Sequence, residues 1–319
     1  MRINLNKLFS FSFALLAFLL SLFLLHFYTK GDQVHYTAFY NGVHNFNFFT
    51  GFLYYNRALG ASEPIYYIII YVFGAFLKKN FLIALVNAIL AYNVSLLLTR
   101  LQVNKLLILS LLLNFYMIVL FTGAERLKFS LAILSFYFLA SGSIKQNSLL
   151  FLSVFTHFQT SLLAVGIKFK DILYFIRSIF LLRMSFKKVF LMTLFVIGCL
   201  GTLVALYLLQ KQLMQKWNYY SSSQSLMNII KPSVFLILTL CYRKKISLLE
   251  IFGLFLPLLI ISMLLGPERI VIFCYFIFFY YASRVNHGVN IGILLSQSYF
   301  IYKGVDFIIN ILKHNTGFI

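Results

Sequence analysis

Few side chains in this sequence can do acid–base or phosphate chemistry, and several of them stand beside long apolar runs. The chain of 319 residues contains seven Asp and Glu residues and six histidines. Two Glu-Arg pairs, Glu125-Arg126 and Glu268-Arg269, each begin an apolar run, and His157 lies within another run. Because ionisable groups at membrane depth cost free energy unless they are paired or solvated, each of these residues is a candidate functional group.

The residue types suggest phosphate binding and proton transfer. The guanidinium group of arginine presents a planar fork of donors that matches phosphate oxygens, so Arg126 and Arg269 could hold a diphosphate. Histidine has an unperturbed pKa of about 6.5, so His157 could accept or donate a proton, with Gln159 nearby to orient its ring. In the simpler alternative, each arginine anchors its helix at the membrane interface and His157 is a hydrogen-bonded packing residue.

Metal and cofactor chemistry has no support in the sequence. Walker, GxGxxG, HExxH and GxSxG motifs are absent, and the three cysteines lie in apolar runs without CxxC spacing. The acidic residues are too dispersed to suggest a Mg²⁺ site. We therefore expect neither a metal nor a cofactor, and the candidate bases for activating a hydroxyl group are Asp32, Glu63, Glu268 and His157.

The elements that must position these residues are membrane helices. Hydrophobic residues make up 61% of the chain and charged residues 11%, against about 45–50% and about 25% in soluble domains, so a water-soluble fold is excluded. The sequence predicts one all-α polytopic membrane domain over residues 1–319. The apolar runs are 8–28, 65–77, 81–99, 105–121, 127–141, 148–165, 189–209, 232–242, 246–265, 270–282 and a weaker one from about 289.

The positive charges predict the orientation of the chain. Net charge is +20, and Lys and Arg collect in short clusters between apolar runs, which is typical of cytoplasmic loops and not of a nucleic-acid-binding surface. The first run, 8–28, is too long for a signal peptide, so we expect an uncleaved span with its N-terminus inside. This orientation places 29–64 and 210–231 in outer loops.

The region 65–188 admits two arrangements. If 65–77 crosses the membrane and 171–182 stays at the interface, Lys79 and Arg126 face the inside and Arg100 faces the outside. If 65–77 is re-entrant and 171–182 crosses, Arg100 faces the inside and Arg126 faces the outside. Counting positive charges in the loops favours the first arrangement.

Four short motifs occur in an order that resembles a known family. They are Gly31-Asp32 with Tyr36, then Glu63-Pro64, then Arg126, and then the stretch FTHFQTS around His157. This order, over residues 29–165, is similar to that of the EpsG-like branch of the Wzy-type polysaccharide polymerases.

The resemblance implies a GT-C-like membrane glycosyltransferase with about 10–11 transmembrane or re-entrant helices, without nucleotide sugar or metal. It would polymerise undecaprenyl-diphosphate-linked oligosaccharides, of a capsule, exopolysaccharide or O-antigen, at the outer face of the bacterial cytoplasmic membrane. Arg126, His157, Asp32 and Glu63 would then be catalytic, and Arg126, Arg269 and Glu268 would bind the diphosphate. This use requires Arg126 to face outward.

The resemblance also implies partners. They are the lipid-linked oligosaccharide, membrane lipids, a chain-length regulator and a flippase, with no nucleic acid among them. The alternative functions are a lipid-linked oligosaccharide flippase or transporter, another lipid-linked-sugar glycosyltransferase or ligase, and a membrane acyltransferase that uses a histidine beside an acid.

Overall fold

The computed structural model describes residues 5–180, 227–243, 247–265 and 270–318. Every regular element in these ranges is helical. The helices are α1 Leu5–Phe27, α2 Asp32–Gly42, α3 Phe48–Leu59, α4 Pro64–Phe73, α5 Lys79–Arg100, α6 Lys105–Ser110, α7 Phe115–Thr122, α8 Glu125–Leu139, α9 Ser143–Thr156, α10 Thr160–Phe180, α11 Met227–Cys241, α12 Leu248–Leu265, α13 Ile270–Ala282 and α14 Ile291–His314. The chain forms two compact units, Met1–Thr160 with Ala282–Ile319, and Ser161–Tyr281.

Fewer helices than the sequence predicts have the length of a full membrane crossing. In the described ranges, α1 and α5 are long and apolar enough to cross, and α6 with α7 would form a third span bent by 54°. Asn114 stands at that bend, where its side chain accepts a hydrogen bond from the backbone N–H of Tyr116 and so begins α7. The all-helical fold and the presence of helices that can span a membrane are confirmed. Fewer helices than predicted have the length of a crossing because polar residues divide several of the apolar runs.

Polar side chains fix α1 and α5 against each other in antiparallel orientation. Near the end of α1, Ser21 accepts a hydrogen bond of 3.0 Å from the buried amide of Asn87, which lies near the start of α5. Near the start of α1, Ser10 lies 3.2 Å from Ser95, close to the end of α5. Lys79, the first residue of α5, is therefore at the same end of this helix pair as the end of α1.

If α1 and α5 both cross the membrane, this pairing favours the arrangement in which 65–77 is re-entrant. The helix in that run, α4, has ten residues and a length of about 15 Å, half of what a crossing needs. Lys79, one of the cations on which the charge count depends, is bound within the fold. It donates hydrogen bonds to Gln33 at 2.7 Å and to Thr37 at 2.6 Å, both on α2.

Thiol labelling would test this relative topology. In a cysteine-free background, we expect Lys30→Cys and Lys78→Cys to react with a membrane-impermeant maleimide from one side of the membrane, and Arg100→Cys from the other. All three side chains are exposed, so accessibility within the protein does not limit the reaction. Labelling of Lys78→Cys from the same side as Arg100→Cys would contradict the antiparallel pair.

An aromatic cluster on α2, α3, α4 and α8 supports the acidic residue that precedes α4. Its buried members include Tyr36, Phe39, Tyr55, Tyr66, Tyr67 and Phe129. Gly51 is required in this cluster, since a Cβ atom there would lie 2.6 Å from the hydroxyl oxygen of Tyr67. α3 ends at Leu59 and is capped by Gly60, whose φ of +56° favours glycine, and the chain then turns into α4.

The second unit has its own helix packing. Glycines on α10 and α12 allow close contact, because a Cβ atom on Gly166 would lie 2.8 Å from the Cα atom of Leu254. Glu250 on α12 accepts hydrogen bonds from Lys170 at 2.6 Å and from Tyr281 at 2.7 Å. α10 is one continuous helix to Phe180, and residues 181–226 lie outside the described ranges.

Candidate functional site

Glu63 is the centre of a buried polar group that joins three of the sequence motifs. One carboxylate oxygen lies 3.0 Å from Nδ1 of His157, and the other accepts a hydrogen bond of 2.8 Å from the hydroxyl of Tyr55. Nη1 of Arg126 lies 3.0 Å from both oxygens. These four residues are called the Glu63 group below. Glu63 immediately precedes Pro64, whose fixed φ suits the first position of a helix, so the start of α4 sets the position of the carboxylate.

Arg126 is positioned by a tight turn before α8. Ala124 has a φ of +39°, which is unfavourable for a residue other than glycine, and this turn directs the first residues of α8 into the protein. The Nε–H of Arg126 is buried and has no hydrogen-bond acceptor among the described residues. The hydroxyl of Tyr36 forms a hydrogen bond with the guanidinium group. The guanidinium group therefore bonds to Glu63 and Tyr36, while its Nε–H is a buried donor.

His157 lies at a break between two helices and not within one continuous helix, as the apolar run 148–165 suggested. α9 ends at Thr156, His157 is extended with φ −155° and ψ 114°, and α10 begins at Thr160. The break is stabilised by Ser130, whose hydroxyl bonds to the carbonyl of Ser153 at 2.7 Å and lies 2.6 Å from the Thr160 hydroxyl. The break turns the imidazole ring toward Glu63.

The two ring nitrogens of His157 have different neighbours. Nδ1 faces the carboxylate of Glu63, and Nε2 lies 3.2 Å from the side-chain amide oxygen Oε1 of Gln159. If Nδ1 donates its proton to Glu63, the Nε2 lone pair is the basic site of a neutral ring. The amide oxygen of Gln159 cannot donate to this lone pair, so Nε2 acts as a base only when the acceptor hydroxyl takes the place of the Gln159 oxygen beside it.

Glu63 itself is a poor proton acceptor. Burial alone would raise the pKa of its carboxyl group, but the charge of Arg126 and the hydrogen bonds from His157 and Tyr55 outweigh burial and hold the pKa well below its usual range. Glu63 is therefore ionised at neutral pH and orients His157 and Arg126. Its geometry does not favour the role of general base that the sequence left open for it.

A second buried polar cluster lies on the other side of the start of α8. Glu125 accepts a hydrogen bond of 3.1 Å from Tyr66, while its other carboxylate oxygen has no partner in the described ranges. Lys128 is fully buried and donates to the carbonyl of Phe121 at 3.0 Å. Glu125 and Arg126 thus have separate partners and do not form the local ion pair that their adjacency suggested. Sequence analysis did not select Lys128 as a candidate. Its position near the start of an apolar run is the feature that could have identified it.

Asp32 is not part of the Glu63 group. It is an exposed residue in the first turn of α2, and it lies near Tyr28. Burial, and to a smaller extent the charge of Asp32, raise the pKa of Tyr28 to about 12. The tyrosine of the same motif, Tyr36, is buried beside Arg126.

Some of the expected residues lie outside the described ranges. They are Glu268 and Arg269, and also residues 210–226 of the outer loop 210–231. Among the residues described, no three metal-ligating side chains converge. Tyr55 was missed by sequence reasoning because it is one of 21 tyrosines and has no distinguishing neighbours.

Comparison of the chain with protein-family models, with curated proteins and with solved structures found no match. The resemblance to the EpsG-like polymerases therefore remains a prediction from the motifs.

Proposed function

We propose that this protein is a membrane glycosyltransferase that polymerises oligosaccharides carried on a lipid diphosphate. One observation carries the proposal. Glu63, Arg126 and His157 come from three motifs of the EpsG-like order, and Arg126 and His157 each contact Glu63, from which they are 63 and 94 residues distant in sequence. The contacts also support the arrangement in which Arg126 faces outward, because Arg126 binds Glu63, which lies in the predicted outer loop 29–64.

The proposed reaction needs one proton acceptor and one cationic group. The hydroxyl oxygen of the acceptor sugar forms a bond to the anomeric carbon of the donor, and the bond between that carbon and the lipid diphosphate breaks. His157 takes the hydroxyl proton at Nε2, and Glu63 stabilises the imidazolium ion that results. Arg126 stabilises the negative charge that develops on the departing diphosphate. In this proposal Glu63 and Tyr55 are positioning residues, and Arg269 stays a candidate for a second diphosphate contact.

The hydrogen bond between His157 and Glu63 also favours one competing function. A histidine oriented by a carboxylate is the arrangement that activates a hydroxyl group for acyl transfer. A membrane acyltransferase is therefore the second candidate. Arg126 favours the first candidate, because a departing diphosphate needs a cation to stabilise its charge, whereas acyl transfer from a thioester releases a thiol.

An assay with purified protein separates the two candidates. The protein would be reconstituted in proteoliposomes with the lipid-linked oligosaccharide pool from a source strain that lacks this chain. We expect a ladder of longer products and release of undecaprenyl diphosphate in EDTA, without ATP or nucleotide sugar, because breaking the lipid diphosphate bond drives the transfer. A requirement for Mg²⁺ or Mn²⁺ would contradict the metal-independent reaction. Transfer from labelled acyl-CoA without polymer growth would favour the acyltransferase.

A further inference from the structure

The α3–α4 hairpin presents an apolar surface away from the Glu63 group. This hairpin surface consists of Phe49 and Leu53 on α3, Phe73 at the end of α4, and Phe76 after it. Their exposed fractions are 81%, 58%, 50% and 82%. Side chains of this size at such exposure form an interaction surface when they lie on one short segment.

We propose that the α3–α4 hairpin is inserted into one leaflet of the membrane, with lipid acyl chains as the partner of the hairpin surface. The amphipathic character of α3 supports this. Gly51 and Tyr55 are buried, whereas Phe49 and Leu53 are exposed one turn apart. Arg57 follows one turn later and is exposed. An apolar stripe that ends in a cation is typical of a helix at the membrane interface, where the cation reaches the lipid headgroups.

The hairpin surface is continuous with a candidate span. Phe76 is followed by Lys78, which is exposed, and then by α5, on which Phe81 is also exposed. α5 begins beside the end of α1, so the hairpin lies at one end of the two spans, where a leaflet would surround it. Arg57 and Lys78 would face the phosphates of anionic lipids.

The length of the hairpin determines how deep it can lie. α3 has 12 residues and α4 has ten, about 18 Å and 15 Å of helix, so neither can cross, and with Arg57 near one end of the hairpin and Lys78 beyond the other the hairpin lies along the surface of one leaflet. Glu63 stands between the two helices, and insertion of the hairpin therefore also sets the depth of the Glu63 group. The inference does not depend on the proposed reaction, since it rests only on the exposed side chains and the helix lengths.

Fluorescence quenching tests the proposal without an activity assay. In a Trp217→Phe background, single tryptophans would replace Phe49 and Phe76 in proteoliposomes made with brominated phosphatidylcholine. Phe23→Trp, on the exposed side of α1, is the control for contact with lipid, and Lys145→Trp is the control for contact with water. We expect the brominated chains to quench F49W and F76W at least half as strongly as they quench F23W. We expect aqueous iodide to quench F49W and F76W much less than it quenches K145W.

The other outcomes overturn the proposal. Iodide quenching of F49W and F76W equal to that of K145W, without quenching by bromolipid, would place the hairpin surface in water. Protection from both quenchers would show that a protein covers it, either a second copy or another chain. Nitroxide labels on Phe49→Cys and Phe76→Cys in a cysteine-free background provide a second measurement that does not need Trp217→Phe to fold. A nitroxide label in contact with lipid collides more often with oxygen than with a water-soluble nickel chelate.

Discussion

Replacement of Arg126 by alanine is expected to reduce transfer from the lipid-linked donor by about 100-fold or more. Removal of one preorganised group that stabilises developing negative charge typically costs a factor of about 10²–10³ in turnover. Arg126→Lys should be nearly as damaging, because an ammonium group lacks the planar fork that can contact the carboxylate of Glu63 and a phosphate together. The measurement is the rate of undecaprenyl diphosphate release by purified protein.

Arg100→Ala is the matched control for this loss. Arg100 is an exposed arginine at the opposite end of α5, so its removal should leave the rate within about twofold of wild type. Gel filtration and thermal unfolding of each variant would show whether the protein stays folded. Wild-type polymer growth by a folded Arg126→Ala variant would show that the arginine is only a structural partner of Glu63.

Removal of either partner of the ion pair between Glu63 and Arg126 should be more destabilising than removal of both. The side chains are 5% and 14% exposed, so a single replacement, Glu63→Gln or Arg126→Met, leaves a buried charge without its partner. Such a loss costs about 3–5 kcal/mol in the free energy of unfolding. In the double variant neither charge remains, and we expect a substantial part of that cost to be recovered.

An exposed ion pair in the same chain provides the comparison. Lys168 and Asp171 lie 3.2 Å apart, and Asp171 is 67% exposed. The coupling energy of this pair, measured from two single variants and the double variant, should therefore be at most about 1 kcal/mol. Unfolding of all variants by titration with SDS in mild detergent gives the coupling energies. Equal coupling in the two pairs would mean that the Glu63 group is as solvated as the protein surface.

The same pair predicts how stability depends on pH. Because the folded protein lowers the pKa of Glu63, the stabilisation is fully present above the pKa of a free Glu, about 4.3, and is lost as pH falls toward the folded value. The stability of the wild type should therefore fall on acidification by more than that of Glu63→Gln. The stabilities of the wild type and of Glu63→Gln should converge at low pH, where the carboxyl group of Glu63 is protonated in the folded and the unfolded wild-type protein.

The local pattern of the sequence determined the helices and the candidate groups. An apolar run from Leu8 to Tyr28 predicted α1, which spans Leu5–Phe27, because hydrophobicity over about 20 residues is a property of the segment itself. The residue types of Arg126 and His157 identified them as candidates in the same way, since an ionisable group in an apolar run needs a partner wherever that partner lies in the chain.

Only the tertiary structure decided which partners these groups have. Glu63 contacts Arg126 and His157 because α4, α8 and the break after α9 pack together, and nothing near any of the three residues specifies that packing. Packing also separated Glu125 from Arg126, neighbours in sequence whose side chains leave the first turn of α8 in different directions. For Lys79, a cation counted as a cytoplasmic charge, the bonds to α2 came from the same long-range packing. Charge and hydropathy act locally, whereas burial and ion pairing depend on contacts between distant segments.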